Sequence, residues 1–110
     1  MIASGGLGND VMVCTYSNYS TFSGGSGRDT IDFRRDTLSG QTIDLSAASF
    51  GFYNCTFSGF ENAVGSLGSD TIIGSGGINS LNGFSGDDTI NGGGSEDRLI
   101  GGAGFDTLTG

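Results

Sequence analysis

At 110 residues the chain makes one domain or one stretch of a longer array, and with 23 glycines and no proline it cannot build a wide conventional core. Its net charge of −8, twelve acids against Arg28, Arg34, Arg35 and Arg98, argues against nucleic acid or an anionic membrane surface as partner. With no histidine there is no Ser-His-Asp triad, Cys-His pair or histidine metal ligand, and no apolar run is long enough for membrane insertion.

The first organised segment is GGLGNDVMV from Gly5, followed by CTYSNYSTFS and then by GGSGRDTID from Gly24. The two glycine-led segments share a pattern: glycines first, an acid sixth, an aliphatic residue eighth. Their sixth residues, Asp10 and Asp29, are nineteen apart, with enough chain between them for one more turn and strand. Cys14 and Cys55 can form a disulfide in an oxidising compartment or serve as small buried hydrophobes. Asn18-Tyr19-Ser20 and Asn54-Cys55-Thr56 match the N-glycosylation triplet, a pattern that also arises by chance.

Residues 33–64 break the period. Thr42-Ile43-Asp44-Leu45-Ser46 alternates as a strand does, and Phe50, Phe52, Tyr53, Phe57 and Phe60 are concentrated here. They read as rings filling a wider core section, or else as a partner-binding bulge. From Gly65 to Thr109 the nonapeptide returns five times without a gap: GSLGSDTII, GSGGINSLN, GFSGDDTIN, GGGSEDRLI and GGAGFDTLT. The expected organisation is a single domain over 1–110, with N-terminal repeats in 1–32, a longer irregular coil in 33–64 and tandem repeats in 65–110.

Residues one to six of each block are turn-like and seven to nine strand-like. Turn, strand, turn, strand gives an all-β coil of eighteen residues, with parallel strands in two sheets. Met12, Ile31, Ile72, Leu81, Ile90, Leu99 and Leu108 meet inside. Turns eighteen residues apart then stack, so Asp70, Asp88 and Asp106 form one column, and Asn79 and Asp97 part of the opposite one. Two carboxylates about 4 Å apart repel by roughly 4 kcal/mol at an effective dielectric near 20. A cation between them reverses that penalty. Glycine turns expose carbonyls, and calcium takes six to eight carboxylate and carbonyl oxygens.

These blocks resemble the RTX family of hemolysin-type calcium-binding repeats. The resemblance implies a right-handed parallel β-roll, a two-sheet β-helix with calcium in its turns. It also implies specific ligand sets. One site would use Ser66, Gly68, Asp70, Gly83, Ser85 and Asp88; a second, Phe84, Gly86, Asp88, Gly101, Ala103 and Asp106. A third, on the opposite edge, would use Ser75, Gly77, Asn79, Gly92, Gly94 and Asp97, and the N-terminal pair Gly6, Gly8, Asp10, Gly24, Ser26 and Asp29. About four calcium ions would offset the formal charge. Asn79 in place of aspartate, and Ser95 in place of glycine, make the third site the weakest.

The stretch Asp87-x-Thr89-x-Asn91-Gly92 opens like a helix–loop–helix calcium loop, but Arg98 stands where that loop needs glutamate. Carboxylates committed to calcium are poorly placed for glycosidase chemistry, so the chain is not expected to be an enzyme. The function expected is a secreted, extracellular structural module whose folding calcium triggers. Other copies of itself are the candidate partner, stacked head to tail into a filament or surface array. The alternative is an accessory or secretion segment of a larger secreted enzyme, toxin or adhesin.

Overall fold

The computed structural model describes residues 2–14, 20–34, 40, 42–46, 50–52 and 55–110. Among these the strands run β1 Ile2–Ser4, β2 Val11–Val13, β3 Ser20–Ser23, β4 Thr30–Asp32, β5 Thr42–Asp44, β6 Phe50–Phe52, β7 Cys55–Ser58, β8 Asn62–Val64, β9 Thr71–Ile73, β10 Ser80–Asn82, β11 Thr89–Asn91, β12 Arg98–Ile100 and β13 Thr107–Thr109. Each is three or four residues long, and from β9 to β12 glycine turns bound the strands on both sides.

The strands form three sheets, ordered β1-β3-β7-β6, β12-β10-β8-β4-β2 and β13-β11-β9-β5. From β8 onward the chain alternates between the second and third sheets, which is the expected two-sheet parallel β-roll. The register there repeats at the expected spacing: Thr71, Thr89 and Thr107 are paired in one sheet, and Asn62, Ser80 and Arg98 in the other. Upstream the two-sheet expectation needs correction. The segments β3-β4-β5 and β7-β8-β9 each visit all three sheets, so the middle coils have three walls. The extra wall comes from the aperiodic residues between β4 and β8, which supply β5 to the third sheet and β6 and β7 to the first. β6 runs antiparallel to β7, with Phe50 opposite Phe57, the one exception to parallel pairing among the described strands. The nineteen-residue spacing holds in both N-terminal pairings, with Ile2 opposite Thr21 and Val11 opposite Thr30.

In β4, β5 and β8 to β11 the middle residue is buried, as strand alternation favours. Ile31, Ile43, Ile72, Leu81 and Ile90 are completely buried, and Ala63 nearly so. Each large aliphatic contributes about 1.5–3 kcal/mol of burial, but the core is one side chain wide per coil. At its outer ends Met12 and Leu99 are partly buried, and Leu108 on the edge strand β13 is exposed. Where three walls meet, aromatics fill the space: Phe22, Phe33, Phe57 and Phe60 are buried. Phe57 packs edge-on against Phe33 and Phe60, with centroids 6.0 Å apart in both pairs. The side chains of Phe50, Phe52 and Tyr53 lie outside the described set.

Cys14 is buried and disulfide-bonded; the side chain of Cys55, the chain's other cysteine, lies outside the description, as do Asn18 and Asn54 of the two glycosylation triplets. Arg34 pairs with the buried Asp32 at 2.7 Å. It therefore neutralises its own neighbour instead of offering a free basic face.

Candidate metal centre

The turns stack in two columns. Asp10, Asp29, Glu61, Asn79 and Asp97 each stand immediately before a strand of the second sheet, and Asp70, Asp88 and Asp106 before a strand of the third. Parallel pairing of the strands forces these side chains into line. Within a column, the backbone N–H of one residue donates to the carboxylate of the next coil: Asp10 to Asp29 Oδ1 at 2.8 Å, Asp70 to Asp88 Oδ1 at 2.7 Å, Asn79 to Asp97 Oδ1 at 2.8 Å and Asp88 to Asp106 Oδ1 at 2.9 Å.

That bond occupies one carboxylate oxygen of Asp29, Asp88, Asp97 and Asp106. Asp10 Oδ2, Asp29 Oδ2, Asp88 Oδ2 and Asp97 Oδ2 are buried without a hydrogen-bond partner. A buried unsatisfied polar atom is costly, the more so on a charged group. Four such oxygens recur along the two columns of turns.

The space into which these oxygens point is kept open by the first glycine of each repeat. A methyl group on Gly65 would meet Asp70 Oδ2 and, at 2.7 Å, the Gly83 carbonyl; one on Gly83 would meet Asp88 Oδ2 and, at 2.8 Å, the Gly101 carbonyl. Gly5 stands likewise beside Asp10 Oδ2 and the Gly24 carbonyl, and Gly74 beside Asn79 Oδ1 and the Gly92 carbonyl. Carboxylate and carbonyl oxygens from successive coils thus share one glycine-lined cradle, the donor chemistry of a hard divalent cation. Among the described residues no three acids or cysteines converge on one point, so backbone carbonyls must make up the remaining donors.

The chain matches the family model of the RTX calcium-binding nonapeptide repeat in four copies, over residues 20–32, 64–98 and 92–110. It belongs to that family. No curated protein matches the sequence. The RTX match omits the Gly5 block, although the register of β2 with β4 sets that block one coil ahead of Gly24. It also omits the residues just before Val64, where Glu61 joins the column.

The RTX ligand sets fall on the geometry unevenly. The nominated first-position carbonyls of Gly24, Gly83, Gly92 and Gly101 all lie in the cradles. The nominated second- and fourth-position carbonyls of Gly6, Gly8, Gly68, Ser75, Phe84 and Gly86 lie against glycine backbone of the next coil. Gly6 O and Phe84 O also accept from Ser26 N at 2.9 Å and Ala103 N at 3.2 Å. Asp70 already accepts from Ser66, N to Oδ2 at 2.8 Å and Oγ to Oδ1 at 2.7 Å.

The third set departs most. Asn79, almost fully buried, accepts from Ser75 N at 2.8 Å and donates to the Glu61 carbonyl at 2.7 Å. Its amide is satisfied by protein groups, while Asp97 Oδ2 beside it is not. Ser95 is held at φ +67°, where glycine belongs, with its hydroxyl on Gly76 O at 2.8 Å. Phe84 shares the left-handed conformation at φ +75°, so the second set carries strain that its letters did not reveal.

Asp88 carries the clearest electrostatic mark. Its pKa is raised from 3.8 to about 6, by burial first, with the charges of Asp70 and Asp106 above and below adding to the effect. The column is an unneutralised acidic stack whose central member resists ionisation.

Sequence reasoning missed Glu61. Its signal was its place nine residues before Asp70, but the block around it, TFSGFENAV, lacks the leading glycine pair.

Proposed function

We propose that this RTX module is an extracellular structural element whose folding is coupled to calcium at its stacked turns. The observation that carries the reading is the set of buried, unpartnered carboxylate oxygens, of which those of Asp10, Asp29 and Asp88 each share a glycine cradle with a carbonyl. Calcium would supply the missing positive charge there. The holding residues would be Asp70, Asp88 and Asp106 on one edge and Asp10, Asp29 and Asp97 on the other, with the carbonyls of Gly24, Gly83, Gly92 and Gly101. Asn79 makes its step the weakest of the four, because it gives no charge and its amide is already engaged.

A core one side chain wide is small against the ordering entropy of a glycine-rich chain. Ligation restricted to the folded form stabilises it by about 2.7 kcal/mol per site at a hundredfold excess over Kd. The millimolar calcium outside cells suits such a switch. Circular dichroism during a calcium titration tests the coupling: strand signal and melting temperature should rise with calcium and fall in EDTA. Full ordered structure in EDTA, with no ion bound on addition of calcium, would refute it.

β12 and β13 are open edges, and Asp97 Oδ2 on that side is unpartnered. A second copy stacked head to tail would complete that half-site and extend the roll into a filament. Sedimentation velocity in excess calcium and in EDTA checks this version; a monomer in both removes it and leaves the calcium switch standing.

A further inference from the structure

We infer an additional calcium site, outside the four nonapeptide sets, between the turn 24–29 and the short turn 59–61, with Asp29 and Glu61 as its carboxylates. It rests on the calcium reading above. Asn62 pairs with Thr30 on one side and Ser80 on the other, so Glu61 holds the place in its coil that Asp29 and Asn79 hold in theirs. The backbone N–H of Asp29 donates to Glu61 Oε2 at 2.9 Å, the same bond that Asp10 makes to Asp29.

The chemistry of the side chain follows from the turn's length. Ser58 pairs with Ser23 and Asn62 with Thr30, so three residues cover the span that six cover in the coil before. An aspartate on so short a turn falls back from the column, and glutamate's extra methylene restores the reach.

The independent sign of a missing cation is Asp29 itself. It is completely buried, and its Oδ2 has no partner. That oxygen points into the space beside Gly24, where a methyl would lie 2.8 Å from it and against the Gly59 carbonyl. Asp29 Oδ2, Gly59 O and Glu61 therefore repeat the cradle of the tandem blocks with different letters. Arg28, the nearest guanidinium in sequence, is turned elsewhere, donating to Asn62 Oδ1 and Ile78 O at 3.3 Å each. One step further on, the Asn79 amide closes on the Glu61 carbonyl, so the run of carboxylate steps that begins at Asp10 ends at Glu61.

The shortened turn offers fewer carbonyls than a full one, so water completes the coordination. The site should bind more weakly and exchange faster than those of the third-sheet column. Its position joins the N-terminal coils to the tandem repeats across the aperiodic middle.

The test is a count of bound ions by equilibrium dialysis against radioactive calcium, using the full chain and its Glu61→Gln variant. Glutamine keeps the length and an acceptor for Asp29 N but removes the charge. The variant should bind one ion fewer, with the tight ions unchanged. Equal, non-zero counts overturn this site and leave the calcium reading intact; no binding by the parent chain overturns both. Should the variant fail to fold, a crystal structure of the calcium-loaded parent decides. A calcium peak bridging Asp29, Gly59 O and Glu61 supports the site; density there for water alone, with ions in other turns, refutes it.

Discussion

Replacing Asp88 with asparagine should change stability in opposite directions with and without calcium. Asp88 is the middle acid of its column, buried between Asp70 and Asp106, with its pKa raised to about 6. At neutral pH the ion-free fold therefore holds a charge it disfavours. At 1.36 kcal/mol per unit, and discounting for water at the turn, that amounts to on the order of 1–3 kcal/mol. Asparagine removes the charge, and Asn79 demonstrates that a buried amide in this position can be satisfied by the neighbouring coil. In EDTA, Asp88→Asn should thus be more stable than the parent by roughly that amount. In calcium the same change takes a carboxylate from two sites at once. A tenfold loss of affinity at each costs about 1.4 kcal/mol, or about 3 kcal/mol for the pair. Urea denaturation followed by circular dichroism, in EDTA and in saturating calcium, measures both arms. A destabilised variant in EDTA, or an equally stabilised one in both buffers, would refute the placement of Asp88 between two ions.

The same carboxyl sets a pH dependence whose sign calcium inverts. A folded-state pKa raised above the unfolded value gives stability that is fully present below about pH 4 and lost as pH rises through about 6; in EDTA, thermal melts should fall across that window. With calcium present, protons compete with the ion and melting temperature should instead rise with pH. Gly83→Ala tests the cradle: its methyl would run into Asp88 Oδ2 and the Gly101 carbonyl. It should therefore abolish an ion measured by calorimetry and destabilise the calcium-loaded chain far more than the EDTA form. Ser95→Gly releases a residue held at φ +67° and gives up one hydroxyl bond to Gly76 O. A net gain of about 0.5–1 kcal/mol in chemical denaturation is expected, and a loss would mean that the hydroxyl outweighs the strain.

Much of the roll was legible because a nonapeptide period is a geometric statement. Glycine, sixth-position acid and eighth-position aliphatic recur together, and Ile72, Leu81 and Ile90 are buried where the period sets them. Thr42-Ile43-Asp44 was readable as a strand from its alternation, but its sheet was not. Joining β9 rather than β3 is a tertiary choice made beside the packed rings of Phe33, Phe57 and Phe60, which local letters do not encode. Glu61 escaped for a different reason: a three-residue turn with a longer acid performs the task of a six-residue turn with a shorter one. Pattern matching registers letters at fixed offsets, whereas the column requires only that a carboxylate arrive at a given point.

That distinction separates the two edges of the roll physically. The third-sheet column repeats one solution, Asp70, Asp88, Asp106, at eighteen-residue steps, so its middle member, Asp88, faces an acid on either side. The second-sheet column changes solution at each step. Asp10 meets Asp29 carboxylate to carboxylate; Asp29 meets a glutamate on a short turn; Glu61 meets an amide that bonds it directly; Asn79 meets Asp97 with one charge between them. Arg28 adds a tie spanning from its own turn to Asn62 and Ile78, independent of any ion. Inter-coil N–H to carboxylate bonds therefore run along both edges, but one edge stacks acid on acid around Asp88 while the other breaks its run of acids at Asn79 and adds the Arg28 tie. Since both edges enclose the same single-file core, loss of ions would, on the calcium reading proposed above, load the roll asymmetrically. The coils at the third sheet should then separate first, while the wall of the second, continuous from β2 to β12, keeps its register longest.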